Sequence, residues 1–498
     1  MKFHHVFAVV VAIATLFCST QTHAVAPGAK ITLTQAGLTY VKDVGVDILL
    51  AQLASVEVPN MSGSAGTPVG HVDYSVTNIK ISELKLPDAE LELKAGEGLE
   101  VGVSDATCAV SLDFHWREHS WPHVSGSGSA DVAISSTSVS VVVAVGESNQ
   151  RPTVGVSSAA VDIGGFSIHV HGSESWLYNW LVGLFKGSIK GSIQSSLKDA
   201  IVNAVNQQAE HALATIPIVQ KIDDFSSIDY AMLASPVISS SALTSEHLGQ
   251  FQSNAPSPPS PWDPVSLPST VSSSDEINLV LSTEVANSAG YVYFKAGALT
   301  TTVKELPSWS PVRLNTTDFK LLIPKLYDAF PDMDMEFVLA ANSTPNAQIN
   351  VTGATCDVQG TVDVYVRPTP TTRTYAFTLG LTIFGEGKVS VSKSNITAVV
   401  AFVGTDLSLM KTSPQVGVFN AGILSDLVNL AITHGLVPWL NKVLAVGFPI
   451  PVVDGVTLSN VNVIYGDGYV GLASDFQYAP PASFLKALGL KDSVIRVN

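Results

Sequence analysis

The chain has 498 residues, of which 46% are hydrophobic and only 14% charged, and its mean hydropathy is +0.31. It can therefore bury large cores, and it carries more apolar surface than a soluble protein ordinarily needs, enough either to line an internal cavity or to fill Val-rich β cores. A formal net charge of −16 argues against nucleic acid as a partner, because that binding rests on Lys and Arg neutralising phosphates, and it disfavours a generally cationic, membrane-disrupting surface.

Lys2 and two histidines precede an apolar run over residues 6–17, which is followed by small residues and Ala24-Val25-Ala26. This is the layout of a cleaved secretory signal. The run is shorter than the roughly 20 apolar residues a spanning helix needs, and no later stretch reads as long enough without polar interruption. The expected organisation is a signal over 1–26, a first half over 27–250, a linker over 251–275, a second half over 276–485 and a tail over 486–498. The expected location is extracellular, with a vacuole or lysosome lumen as the other destination of such a signal. Cys18 leaves with the signal, so Cys108 and Cys356 are the only mature thiols. That excludes a disulfide framework and leaves at most one bridge. Asn60, Asn315, Asn342, Asn350 and Asn395 each open an Asn-X-Ser/Thr glycosylation triplet.

The first half opens with a predicted helix over 34–53, where Thr34 can cap and Leu38, Val41, Gly45 and Ile48 recur at helical spacing. Strand-like segments follow over 76–86, 89–103, 108–116, 130–145 and 154–171, rich in β-branched residues between Gly, Ser and Asn turn signals. A long helix over 175–214 carries Leu181, Phe185, Ile189, Ile193, Leu197, Ile201 and Val205 four apart, a stripe that drifts slowly around its axis. Between 253 and 274 six prolines fall among serines, which reads as an extended linker. The second half repeats the order: a helix near 283–296, a series of strands, a helix over 419–445 and terminal strands. Asp105-Ala-Thr-Cys108-Ala-Val and Gly353-Ala-Thr-Cys356-Asp-Val fall at comparable depths, and the shared order of elements points to duplication.

Gly447-Phe-Pro-Ile-Pro451, Val456-Thr-Leu458 and Tyr469-Val-Gly-Leu472 resemble the closing segment of the family of bactericidal/permeability-increasing protein, lipopolysaccharide-binding protein and cholesteryl ester transfer protein. Gln35-Ala-Gly-Leu-Thr-Tyr40, residues 79–87 and Asn287-Ser-Ala-Gly-Tyr291 extend the resemblance over nearly the whole mature chain. It implies an α+β fold of two pseudo-symmetric antiparallel β-barrel/helix domains, set as a boomerang and joined by a central sheet, with one lipid tunnel per half. The implied function is that of a secreted, non-enzymatic lipid carrier or transfer protein for phospholipid or a related amphiphile, with transient contact at a membrane or lipoprotein surface and no cofactor. The alternative within the resemblance is an innate-immune protein binding lipopolysaccharide or another bacterial envelope lipid. A secreted β protein with filled cores would bind no ligand. Two departures stand out. The family's disulfide between a strand and the long helix has no counterpart, since 153–157 and 200–203 lack cysteine, so two free thiols are expected. The basic cluster of endotoxin-binding members is replaced by a hairpin with a single Arg, His115-Trp-Arg-Glu-His-Ser-Trp-Pro-His123.

The candidate lipid-lining residues are Leu38, Val41, Ile48, Ile189, Ile193 and Leu197 in the first half, and Ile423, Leu427 and Leu430 in the second. Periodicity leaves each equally readable as ordinary core. Trp116, Arg117 and Trp121 are the candidate membrane contacts, because indole favours the headgroup region and the interspersed histidines add positive charge as pH falls. A partly packed hairpin with incidental histidines is the competing reading. His115, His119 and His123 do not form a helical face, and His169 with His171 supplies only two ligands where zinc wants three or four, so no metal site is expected. Trp176 and Trp180 begin the long helix as anchors or at a tunnel mouth. Glu90, Glu92, Glu97 and Glu100 read as the solvated side of a hairpin. No nucleophile elbow, zinc-protease or phosphate-loop motif is present.

Overall fold

The computed structural model describes residues 25–479 except 54–58, 68–69, 86, 172–181, 184–189, 196–197, 200, 203–205, 207–217, 307–309, 393–394 and 451–454. Its centre is built from two equivalent strand-to-helix units. Strand β1 (Ala29–Thr34) runs directly into α1 (Gln35–Leu53), and β13 (Ile277–Ser282) runs directly into α2 (Thr283–Lys295). Each junction carries a buried hydroxyl residue that satisfies a helix donor: Gly37 N donates to Thr34 Oγ1 at 3.4 Å, and Glu284 N to Ser282 Oγ at 3.2 Å. The two strands pair antiparallel, with Ala29 opposite Leu281 and Leu33 opposite Ile277, so a pseudo-twofold axis passes between them. Around this pair the six-stranded central sheet runs β10 (Val237–Ile238), β11 (Ala242–His247), β1, β13, β22 (Tyr469–Tyr478) and β21 (Val456–Gly466). Both halves contribute strands to one sheet.

Each half then adds its own antiparallel sheet. In the first, β2 (Met61–Thr67), β3 (Gly70–Lys85), β5 (Gly98–Glu118), β6 (Ser125–Ser148) and β7 (Arg151–His171) lie in order, with β4 (Asp88–Lys94) on β5. In the second, β14 (Thr300–Val303), β15 (Asp334–Ala341), β17 (Gly353–Thr369), β18 (Thr372–Ser392), β19 (Asn395–Thr412) and β20 (Phe448–Pro449) do the same, with β16 (Asn346–Asn350) on β17. Period-2 alternation sets the faces: on β5, Val110, Leu112, Phe114 and Trp116 are buried while Asp113, His115 and Arg117 are exposed. The expected break between 103 and 108 is instead a register shift around Ala106 within one long strand, with Asp105 at φ 53°. Such a bulge bends a strand without ending it.

The Pro/Ser stretch is irregular, as its composition requires, but it packs. Leu267 is buried, Val271 covers Gly471, the Trp262 ring covers Gly28, and Asn278 Oδ1 accepts from Val271 N and Ser272 N at 3.0 and 2.8 Å. It forms a strap across the central sheet. Two glycines in the segments that carry the family resemblance sit where backbones cross. A Cβ on Gly37 would lie 2.2 Å from Glu276 O, and Gly447, at φ +66°, presents the same conflict 2.1 Å from Ile396 O.

Of the helix expected over 175–214, the described residues 182–183, 190–195, 198–199 and 201–202 are helical. The second-half helix runs through a 3-10 turn (Ala421–Leu424), an α segment (Ser425–Ala431), a π turn (Ile432–Leu436) and a second α segment (Val437–Leu444). It corrects one expectation: the run Ala421–Leu444 is, by length and hydropathy, apolar enough to cross a membrane. Its few polar residues, among them Asn429 and Asn441, do not bring the average below that of a candidate span, and those two bond to the sheet beneath. Cys108 and Cys356 are free and lie in different sheets. Burial raises the pKa of both thiols, to about 11 for Cys108.

His247, on β11, is fully buried. With the proton on Nδ1 it donates to Tyr230 O at 3.2 Å and its Nε2 accepts from Ser245 Oγ at 2.9 Å. Desolvation pushes its pKa down to about 3. The unfolded chain therefore binds a proton near pH 6.5 that the folded chain refuses, and stability present above pH 6.5 is lost as pH falls toward 3. We expect this group to cost about 2 kcal/mol between pH 7 and pH 5, at about 1.4 kcal/mol per pH unit below 6.5. Denaturant unfolding of the protein and of His247→Gln at both pH values checks it: the variant should lose about that much less, and an equal loss would contradict the assignment.

Candidate functional site

The inner faces of the two outer sheets are apolar along their length but unevenly filled. In the second half, Ile349, Val389, Val391 and Ile396 belong to a cluster at the central sheet, whereas Val362, Val364, Leu379, Leu381, Leu407 and Leu409 join one at the far end. Between them the inward positions Cys356, Val358, Gly387 and Phe402 are only half-buried and belong to neither cluster. A Cβ on Gly387 would meet nothing closer than 3.6 Å. The first half shows the same division. Leu38, Val41, Val44, Leu91 and Leu99 pack centrally, Val110 to Trp116 with Ile193 pack at the far end, and Val139, Val156 and Val161 between them are half-buried. Among the described residues, each half thus has half-buried apolar positions midway along its inner face, set in the first half beside the buried Val103, Val141 and Val143.

The long edge of each sheet bounds that stretch. Among the described residues, strand β7 pairs only with β6, and β19 pairs with β18 and, at Asn395 and Ile396 alone, with β20. An unpaired edge needs its N–H and C=O groups satisfied or covered. Helix side-chain amides do this in both halves. Asn441 makes a two-point contact with Val400, accepting from its N–H at 2.8 Å and donating to its C=O at 3.0 Å. Asn429 Oδ1 accepts from Thr405 Oγ1 at 2.7 Å. In the first half Val156 N donates to Asn206 Oδ1 at 2.8 Å, and Gln194 Nε2 donates to Val161 O at 3.0 Å. The seam between edge strand and helix is held by single amides rather than a strand ladder, and the sequence reading missed all four. Their signal was present: Asn441 interrupts an otherwise apolar stretch, Val437-Pro-Trp-Leu-Asn441.

The expected lipid-lining residues do not share one environment. Leu38 and Val41 are 0% exposed within the central cluster, so close packing surrounds them and they act as core. Ile193 is buried with the far-end cluster. Leu427 packs beside the second-half far-end cluster and Leu430 is half-buried, whereas Ile423 is 40% exposed. The side chain of Ile48, with Ile189, Leu197, Trp176 and Trp180, lies outside the described residues. The membrane-contact trio also divides. Trp116 is 5% exposed and packs inside the far-end cluster, because it continues the inward phase of Leu112 and Phe114. It is corrected to a core residue. Arg117 is exposed on the opposite face, and Trp121, in the turn beyond β5, is 87% exposed.

Among the described residues no group of three or more His, Cys, Asp or Glu side chains could hold a metal ion. The Ser245–His247 pair resembles a nucleophile with its base, but Ser245 is buried and His247 has no exposed surface for a substrate to reach. The Glu run is a solvated hairpin: Glu92 and Glu100 flank Lys94 at 2.7 and 3.0 Å. Asn60, Asn342 and Asn350 are exposed. The amide nitrogens of Asn315 and Asn395 already donate, to Asp334 at 3.3 Å and to Val446 O at 3.0 Å.

Comparison with known proteins covers both halves. The model of the LBP / BPI / CETP family N-terminal domain matches residues 37–211, and that of the C-terminal domain matches 220–478. The two models therefore meet ahead of the Pro/Ser strap. A bactericidal permeability-increasing protein from Sebastes schlegelii is 27% identical over 461 residues, 92% of this chain and 96% of that protein. A lipopolysaccharide-binding protein from Mus musculus is 26% identical over 470 residues, 93% of this chain and 96% of that protein. The crystal structure of a lipopolysaccharide binding protein superposes with a TM-score of 0.66 at 23% identity, covering 92% of this chain and all of that one. That likeness establishes the two-halved fold.

Replacing Asn441 with Ala removes both contacts to Val400. Each is worth about 0.5–1.5 kcal/mol net, so a loss of about 1–2 kcal/mol is expected, with faster hydrogen exchange at the Val400 amide. Unchanged exchange there would show that the amide does not hold the seam.

Proposed function

The chain belongs to the LBP/BPI/CETP family, and from that premise we propose that it is a secreted, non-enzymatic lipid-binding and transfer protein that holds phospholipid-like amphiphiles in one apolar tunnel per half. The observation that carries this reading is the half-filled inner face in each half, bounded by an edge strand and a helix joined through amides. Acyl chains laid along Val358, Gly387 and Phe402, and along Val139, Val156 and Val161, would complete the packing that two separate clusters leave unfinished.

Each methylene removed from water contributes about 0.8 kcal/mol, and two acyl chains together exceed the roughly 4–15 kcal/mol cost of association. Acyl chains are equally dry in a bilayer, so membrane and tunnel compete on nearly even terms. A carrier of this kind exchanges lipid in either direction, and head-group contacts at the tunnel mouth choose the cargo. Leu427 and Leu430 are the lining residues this reading retains from the helix, and carbohydrate would occupy the exposed Asn60, Asn342 and Asn350. The apolar surplus of the sequence supports the same conclusion.

A second reading follows from the relatives named for lipopolysaccharide binding: the cargo would be a bacterial envelope lipid and the role innate recognition. The single Arg of the His115–His123 hairpin favours the first reading. Uptake of a fluorescent phosphatidylcholine from neutral vesicles separates them. The carrier reading expects uptake into both halves, and Gly387→Trp, which fills the second-half stretch, should halve it while leaving the fold intact. Failure to take up phosphatidylcholine, with endotoxin retained at about 150 mM salt where distant charges are screened, would replace the carrier with the recognition protein.

A further inference from the structure

Six of the nine histidines that follow the signal segment gather at the free end of the first-half sheet: His71, His115, His119, His123, His169 and His171. All six are exposed. On β3, β5 and β7 the inward positions Val72, Phe114, Trp116 and Val170 are buried, so His71, His115, His169 and His171 occupy the alternate, solvent face. Strand pairing places Ser75 opposite His115, Asp73 opposite Arg117 and Asp131 opposite His169. His119 and His123 belong to the turn that carries Trp121, and Val124 beside them is also exposed.

The remaining charges facing this group are few. On β3 they are Asp73 and Lys80, on β5 Asp113, Arg117 and Glu118, and on β6 Asp131. His119 Nε2 lies 2.7 Å from Asp73 Oδ2, and His171 Nε2 lies 2.7 Å from Asp131 Oδ2. With the imidazoles neutral, four carboxylates outnumber two fixed cations. With all six protonated, eight cations face four carboxylates. Protonation of these side chains would therefore reverse the sign of this end, although the chain as a whole stays acidic.

We propose that this end is a docking surface for an anionic lipid bilayer, seated by Trp121 in the headgroup region and strengthened by acidification. Indole is the side chain best suited to that depth, and clustered cations are attracted by the surface potential of an anionic membrane. The surface stands apart from the half-filled inner faces, so it does not depend on what they hold. It gives the protein an address: an acidified compartment or surface bearing anionic lipid.

Co-sedimentation of the full-length secreted protein with vesicles of phosphatidylcholine and phosphatidylglycerol (3:1), at pH 7.4 and 5.5, tests the proposal, with circular dichroism confirming the fold at both. We expect at least tenfold tighter binding at pH 5.5, no such gain on pure phosphatidylcholine, and loss of the gain when His71, His115, His119 and His123 are all replaced by Gln. Trp121→Ala should weaken binding at pH 5.5 while leaving some gain with acid. A gain that survives the four substitutions, an equal gain on neutral vesicles, or the absence of any gain would overturn it.

Discussion

Among the described residues, each outer sheet has a long strand whose outer side is unpaired over most or all of its length, and the peptide groups along that edge must be met by something. A second strand would close the sheet permanently. Here Asn441 does so at Val400, and Asn206 and Gln194 do so at Val156 and Val161. A few side-chain amides, each worth about 1 kcal/mol net, can part and re-form without a ladder being broken. The half-filled apolar stretch beneath each seam is useful to a carrier only because its boundary has this character.

The centre has the opposite construction. β1 and β13 pair along their whole length, Thr34 and Ser282 cap the helices that follow, and the Pro/Ser strap seals the sheet through Leu267, Val271 and Trp262. His247 is buried there, and desolvation disfavours its charged form. On the proposed function, a centre paired in this way with amide-held seams at either side would let each half admit or release a ligand independently. Acidification draws down the stability of this centre through His247.

Much of the architecture was legible in the sequence because it rests on local rules. The Thr34 cap, the helix over 283–296, the alternating strands and the repeated order of elements all follow from periodicity and capping. The strand through Ala106 was not legible, because a bulge and a chain break leave the same local signal. The strap was read as a linker because composition reports that a segment cannot form regular structure, and says nothing of what it lies against. The site was less legible still. Leu38 and Val41 sit on an apolar helical stripe like any lining residue, and only their complete enclosure identifies them as core. Trp116 and Trp121 look alike in sequence, yet the β5 phase turns one inward while the turn carries the other out. The seam amides were visible as polar interruptions of apolar helices, but their meaning depends on an edge strand distant in sequence.

The central claim is that the incompletely packed inner faces exist to be filled by lipid. Mass spectrometry of an organic extract from the gently purified secreted protein, quantified against protein mass, tests it most directly. The account predicts copurified phospholipid or a similar two-chain amphiphile in molar proportion to the chain, with an equal share for each half. A folded protein that yields no lipid would contradict it, and would mean that the inner faces are simply loosely packed cores.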